Sequence, residues 1–408
     1  MSILIFRTIR LPAIIKNETA WGKRADFAAL SAWLIASFFM TFTSWQSPGH
    51  DFRGYYAAAR VLTAGGNPYD YTQVAPVLLS VTGHMGNNPH YYPPWFAWCF
   101  TPISCLPFQT ARCIWLLFNL TIWIISLLQL NKLLDWPERG WRRWLMFLLA
   151  TYIFAGVTLH YEQIGIVLFA LFVAVISAVR KEQWHLAGVW LALLLIKPNI
   201  TFIPVIAITT WLARRGQWRP VVVMCTLIAS LFIVTTIATP DWYQPFFQQG
   251  FGRGLVVSFD GPNRITGYII NTTLLDWLKM LHVGESLRKM IYILVVIGGV
   301  YVCTHIVRKS KSILHVLATS LLVSFAITPY AFQYDYPPLT LMWFLATESC
   351  TSSMRAQWGG VAISIFITSV LIWERPISDG YWIVIGLCLL SIWSWWHSDS
   401  QKIPQRLL

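Results

Sequence analysis

"HLAGVWLALLLIKPNITFIPVIAITTWLA", residues 185–213, is apolar enough to enter a membrane and too long to cross it once as a single helix. It is interrupted at Lys197-Pro198 and again at Pro204. Proline removes a backbone donor and clashes with the preceding turn, so the break at "KPN" reads as the junction of two short helices. The choice matters, because counting one crossing or two here flips the side of every later loop.

The surroundings leave no soluble reading. Hydrophobic residues make up 56% of the 408-residue chain, charged residues only 12%, and there are 23 tryptophans. A water-soluble globule of this size cannot bury so much apolar surface, so the chain is read as an all-α polytopic membrane protein. The net charge of +13 raises the question of nucleic acid, but Lys and Arg are scattered in twos and threes between apolar runs. That pattern reports topology, and no nucleic-acid partner is expected. Seven cysteines without C-x-x-C spacing suggest neither a disulfide framework nor a zinc site.

Clear spans lie at 26–45, 113–131, 143–159, 163–180, 219–239, 288–307, 313–328, 358–373 and 381–396. The proline-broken segment 93–109 is expected to dip in from the outer face, and 337–348 to cross. With 185–213 taken as two helices, the basic clusters then fall on one side. They are the N-terminus, Lys132/Arg139/Arg142/Arg143, Arg180/Lys181, Arg214/Arg215/Arg219, Arg308/Lys309/Lys311, Arg355 and Lys402/Arg406. By the positive-inside rule that side is cytoplasmic. The expected organisation is a cytoplasmic N-terminus (1–25), a transmembrane module (26–239) whose first outer loop is 46–112, a long outer loop (240–287), C-terminal transmembrane helices (288–396) and a cytoplasmic tail (397–408). That makes about twelve transmembrane helices.

The unusual residues collect outside. In "HDFRGYYAAARVLTAGGNPYD", residues 50–70, apolar Phe52, Tyr55, Tyr56, Ala59 and Leu62 share one helical face, and Gly65-Gly66 stops the helix. The spacing predicts an amphipathic helix lying at the outer interface. Asp51 sits at its start, either as a plain N-cap or as a carboxylate able to accept a proton from a hydroxyl.

This phrase and four others, "YYPPWFAWCFTPISCLPF", "HYEQIGIVLFAL", "LAGVWLALLLIKPN" and "TPYAFQYDY", resemble in order and spacing glycosyltransferase family 87. These are polyprenol-phosphate-mannose-dependent mannosyltransferases of the GT-C fold, and the resemblance runs from about 45 to 340. It implies Asp51 as catalytic base. Glu162 departs from the pattern, standing where the family often has glycine before the glutamine.

The implied reaction moves a sugar, mannose in the first place, from a polyprenyl-phosphate donor to a hydroxyl of a cell-envelope glycan or glycolipid, with inversion. It takes place on the extracytoplasmic face of the inner (plasma) membrane. A single base suits one-step displacement, and the leaving phosphate needs a cation: Lys197, Arg264, Arg60 or Arg253. Lys197 stands out because a charge inside an apolar segment is costly without an anion or a cavity. Tyr55, Tyr92, His160, Glu162, Gln163, Tyr334 and Asp335 are candidates for sugar or acceptor contact, although tyrosines also belong to interfacial belts. No cofactor and no metal are expected. The alternatives are a polytopic lipid or sugar transporter or flippase, or a ligase or polymerase using diphosphate-linked glycans; midplane charges expected of a transporter are scarce here.

Overall fold

The computed structural model describes residues 20–46, 51–83, 90–134, 140–240, 242–248 and 273–348. Among these the regular structure is helical, with no β-strand. Five helices are long and apolar enough to cross a membrane: α1 (Ala20–Trp45, of which Gly22–Trp45 qualifies), α6 (Phe108–Leu133), α7 (Trp141–Tyr161), α11 (Arg219–Ala238) and α13 (Glu285–Lys309). Between them lie the shorter helices α8 (Gly165–Arg180), α9 (Trp184–Leu194), α10 (Pro198–Arg214) and α12 (Leu274–Met280), and α14 (Ile313–Ile327) follows α13. Two 3-10 turns, Gln333–Asp335 and Pro337–Leu339, lead into α15 (Thr340–Glu348). The spans expected at 358–373 and 381–396 lie outside the described residues.

The break at "KPN" is where the sequence puts it. Lys197 leaves helical geometry at φ −128°, ψ 73°, as a residue before proline must, and Pro198 opens α10 where no amide donor is needed. Thr201 closes the gap, donating its hydroxyl toward Leu194 O at 2.6 Å and Lys197 O at 3.0 Å. Pro204, by contrast, is absorbed inside α10.

The first outer segment departs from expectation in two ways. α2 (Phe52–Thr63) has the predicted bounds and stops at Gly65, whose φ of +75° suits glycine. Its apolar face, however, is not turned to lipid. Phe52 packs against Phe100, Phe108 and Trp115, and Tyr55 against Tyr92, Phe96 and Phe100, with centroids 5.0–6.2 Å apart. The opposite side, Ala57 and Val61, is buried on Val74 and Leu78 of α3 (Tyr71–Thr82), a helix the sequence reading left inside a loop. α2 is therefore a protein-covered helix, not an isolated interfacial one. The segment 93–109 forms the short helices α4 (Pro94–Trp98) and α5 (Thr101–Ser104) against α2 and does not form a span.

α1, α6 and α7 meet on one hydroxyl. Thr151, in a π-helical turn of α7 (Thr151–Ala155), accepts the indole N–H of Trp33 at 2.9 Å and of Trp123 at 2.8 Å, and donates to Phe147 O at 2.8 Å. α7 then ends at Glu162, whose φ of 59° turns the chain sharply into α8. That turn meets the 333–335 turn closely because residue 165 is glycine. A Cβ there would run into the Tyr334 carbonyl and the Pro337 ring. Gly165→Ala is expected to destabilise the fold by about 1–3 kcal/mol, as overpacking does. Thermal unfolding of the purified protein checks this.

Candidate active site

Three segments converge on the side chain of Gln163, the start of α2, the loop before α4 and the start of α10, and the 333–335 turn joins them through Lys197. Its amide Nε2 donates to Asp51 Oδ2 at 2.6 Å. Its Oε1 faces the phenol of Tyr55 at 2.8 Å, that of Tyr92 at 3.0 Å and the Lys197 ammonium at 3.5 Å. Lysine can only donate and an ionised aspartate can only accept, so the orientation of this amide is dictated by chemistry. The backbone adds a second tie, with Asp51 N–H donating to Tyr161 O at 3.2 Å.

Asp51 precedes the first turn of α2, but its side chain makes no capping bond. The carboxylate is turned instead to Gln163. Asp70 shows what a cap looks like: its side chain accepts from Thr72 N at 2.9 Å and from the Thr72 hydroxyl at 2.7 Å, and these bonds pull its pKa down. Asp51 moves the other way. The protein packed around its carboxyl pushes the pKa from 3.8 to about 6, while the Gln163 hydrogen bond and the charges of Lys197 and Arg53 hold it back.

The other carboxylates are committed. Asp335 is fully buried; Lys197 Nζ lies 2.5 Å from its Oδ1, and Phe332 N–H donates to Oδ2 at 3.1 Å. Both oxygens of Asp335, a candidate for sugar contact by sequence, thus have partners within the protein. Lys197, 6% exposed, also faces the rings of Tyr334 at 5.0 Å and Tyr92 at 5.9 Å. Burial works against its charge, but Asp335 and its neighbours push its pKa up. Glu162, 1% exposed, is turned into the protein, where Arg112 Nε donates to its Oε1 at 2.6 Å. Arg112 is a residue the sequence reading passed over.

Asp51 alone among these three carboxylates keeps part of its surface open. Beside it Arg53 is also partly open, with a buried Nε that makes no hydrogen bond. Tyr55, Tyr92, Gln163, Lys197, Tyr334 and Asp335 are therefore brought together around Asp51 as expected. Arg60 is not: it sits exposed at the far end of α2 and donates to Ser104 O at 3.2 Å. His160 is half-buried, its ring against Tyr161 at 5.0 Å. Arg253 and Arg264 lie outside the described residues, as does His50. Among the described residues, no group of three or more His, Cys, Asp or Glu is placed to hold a metal ion.

The family model of glycosyltransferase family 87 matches residues 90–329, more than half of the chain. The chain belongs to glycosyltransferase family 87. No curated protein and no solved structure matches it. The matched stretch carries Tyr92, Gln163 and Lys197, while Asp51 precedes it and Asp335 follows it. This membership leaves the transporter and flippase reading without support. The cluster is accordingly the candidate active site of a membrane-embedded glycosyltransferase.

A stability comparison separates cap from site. The folded carboxyl of Asp51 binds its proton more tightly than an unfolded one, so its favourable contribution is complete only at low pH. It is lost as pH rises from about 4 through about 6. Asp51→Asn is therefore expected to raise the melting temperature at pH 8, with the gain shrinking toward pH 4. Asp70→Ala is expected to lower it through loss of the cap. Thermal scans of both variants across this range check the pair of signs.

Proposed function

We propose that this glycosyltransferase moves a hexose, mannose in the first place, from a polyprenyl-phosphate donor to a hydroxyl of a cell-envelope glycan or glycolipid, with Asp51 as general base. The observation that carries the reading is the division of labour among three carboxylates. Asp335 and Glu162 are buried and paired, while Asp51 is partly open and held by an uncharged amide.

The step is a single displacement. The acceptor oxygen forms a bond to the anomeric carbon as the bond from that carbon to the phosphate oxygen breaks. The acceptor proton passes to Asp51, and the polyprenyl phosphate leaves with its negative charge. A retaining route through a glycosyl-enzyme needs a second carboxylate near the base, and both neighbours are occupied by cations. Inversion follows. Arg53 and Lys197 are the cations beside the carboxylate; Arg53 has a donor to spare, and Lys197 brings a charge already shared with Asp335. No metal is needed in this step.

The reading places the cluster on the extracytoplasmic face of the inner (plasma) membrane, with about twelve crossings and both termini cytoplasmic. It rests on the distribution of Lys and Arg. A thiol introduced at Asn67 is expected to react with a membrane-impermeant reagent on intact cells, and one at Arg215 to stay protected. The reverse result would invert the topology.

Asp51→Asn keeps size and hydrogen bonding but loses the proton acceptor. It is expected to fold and bind donor while transfer falls by about a hundred- to ten-thousand-fold. The base acts only when ionised, so the parent's kcat/KM is expected to fall as pH drops through about 6 and to level off above it. Release of lipid phosphate from a panel of polyprenyl-phosphate sugars measures both and identifies the donor. Parental activity in Asp51→Asn would sink the assignment.

A further inference from the structure

We infer that Arg112 and Glu162 form a positioning pair for this reaction, fixing the turn from which Gln163 holds Asp51. The inference rests on Asp51 as the base.

Residue 162 lies between the two residues that hold Asp51: Tyr161 by its carbonyl and Gln163 by its amide. It adopts φ 59°, ψ 32°, a left-handed conformation that side chains other than glycine and asparagine disfavour. Something must hold it there. α6 does so twice: Arg112 Nε and Nη2 both approach Glu162 Oε1 at 2.6 Å, and Trp115 Nε1 donates to the Glu162 carbonyl at 2.9 Å.

The same guanidinium reaches the end of α1, where carbonyls have no helical partner and the dipole favours a cation. Its Nη1 donates to Trp45 O at 3.0 Å and its Nη2 to Ser44 O at 2.6 Å. Trp45 and Asp51 bracket the short connection from α1 to α2. Arg112 therefore fixes one end of that connection and, through Glu162, the turn that grips the other.

Stability alone does not account for the pair. A buried ion pair is often replaceable by apolar residues without loss of stability. Burial also pushes Glu162 up to about 7 despite Arg112, and its Oε2 makes no hydrogen bond. What the pair supplies is geometry. Loosening the turn would weaken the Gln163 bond, the largest of the interactions that favour an ionised Asp51. The charged groups that act on this carboxylate are Arg53 on its own helix, Lys197 on α10 and Asp335 on the 3-10 turn; Glu162 is coupled to it in turn. The titratable phenols around it are Tyr55, Tyr92, Tyr161, Tyr330 and Tyr334.

The test compares the parent, Asp51→Asn and the double variant Arg112→Met/Glu162→Asn, which removes both charges together and leaves asparagine, a residue tolerant of the left-handed turn. Transfer from a polyprenyl-phosphate sugar and thermal stability are measured from pH 5 to 9. The double variant is expected to fold and to keep its donor KM, with kcat lower by about ten- to a hundredfold, the scale of a small misplacement of a reacting group. Its acid limb is expected to move above that of the parent. Parental kcat and an unmoved acid limb, with Asp51→Asn inactive, would overturn the positioning role alone. An active Asp51→Asn would overturn the base assignment and this inference with it. If the double variant fails to fold, Arg112→Lys decides: it keeps the charge but loses the fork, so the same upward shift supports the inference and parental behaviour refutes it.

Discussion

The structure around the site depends on one neutral amide that must satisfy donors on one side and a carboxylate on the other. Gln163 is buried, and so are two of the phenols and the ammonium that point at its oxygen. An unmade hydrogen bond in such a place costs more than a made one returns, so the four segments carrying these groups are held in mutual register. The aromatic packing of Phe52 and Tyr55 against α4, α5 and α6 supplies the apolar burial that keeps water out of this network. Charge is graded across it. Lys197 and Asp335 cancel at the back, Arg112 and Glu162 cancel to one side, and only Asp51 is left with a single neutral donor and an opening.

That gradation explains how a carboxylate can be made basic without being made inaccessible. Desolvation raises its proton affinity, and nearby cations limit the rise. A direct ion pair with Asp51 would have held it ionised but weakly basic. Handing the cations to other carboxylates and giving Asp51 an amide avoids this.

Much of this was legible in the sequence because backbone chemistry is local. The break at Lys197-Pro198, the stop at Gly65-Gly66 and the start of α2 at Asp51 each follow from one or two residues with restricted or permissive dihedrals. The membership of Tyr55, Tyr92, Gln163, Lys197, Tyr334 and Asp335 in one cluster was carried by family phrases, not by their spacing. α3 was missed although Asp70 and Gly83 mark its two ends, because Pro76 interrupts it and the tyrosine-rich approach reads as loop. Arg112 was missed for a different reason. A basic residue at the start of an apolar helix looks like a topology marker, and its partner lies 50 positions away. The available signal was that Glu162, an acid set between apolar runs, needed a cation to be buried.

The broken helix at "KPN" has a meaning beyond topology. Carrier proteins interrupt membrane helices to leave backbone carbonyls and amides facing a coupling ion, so that the backbone itself becomes the binding site. Here the carbonyls of Leu194 and Lys197 are taken by the Thr201 hydroxyl, and Asn199 turns its amide to the Tyr330 carbonyl. The interruption is sealed from within. What it delivers is a side chain, the Lys197 ammonium, into the protein interior with its charge balanced by Asp335, which is the architecture of a fixed workbench and not of a gate.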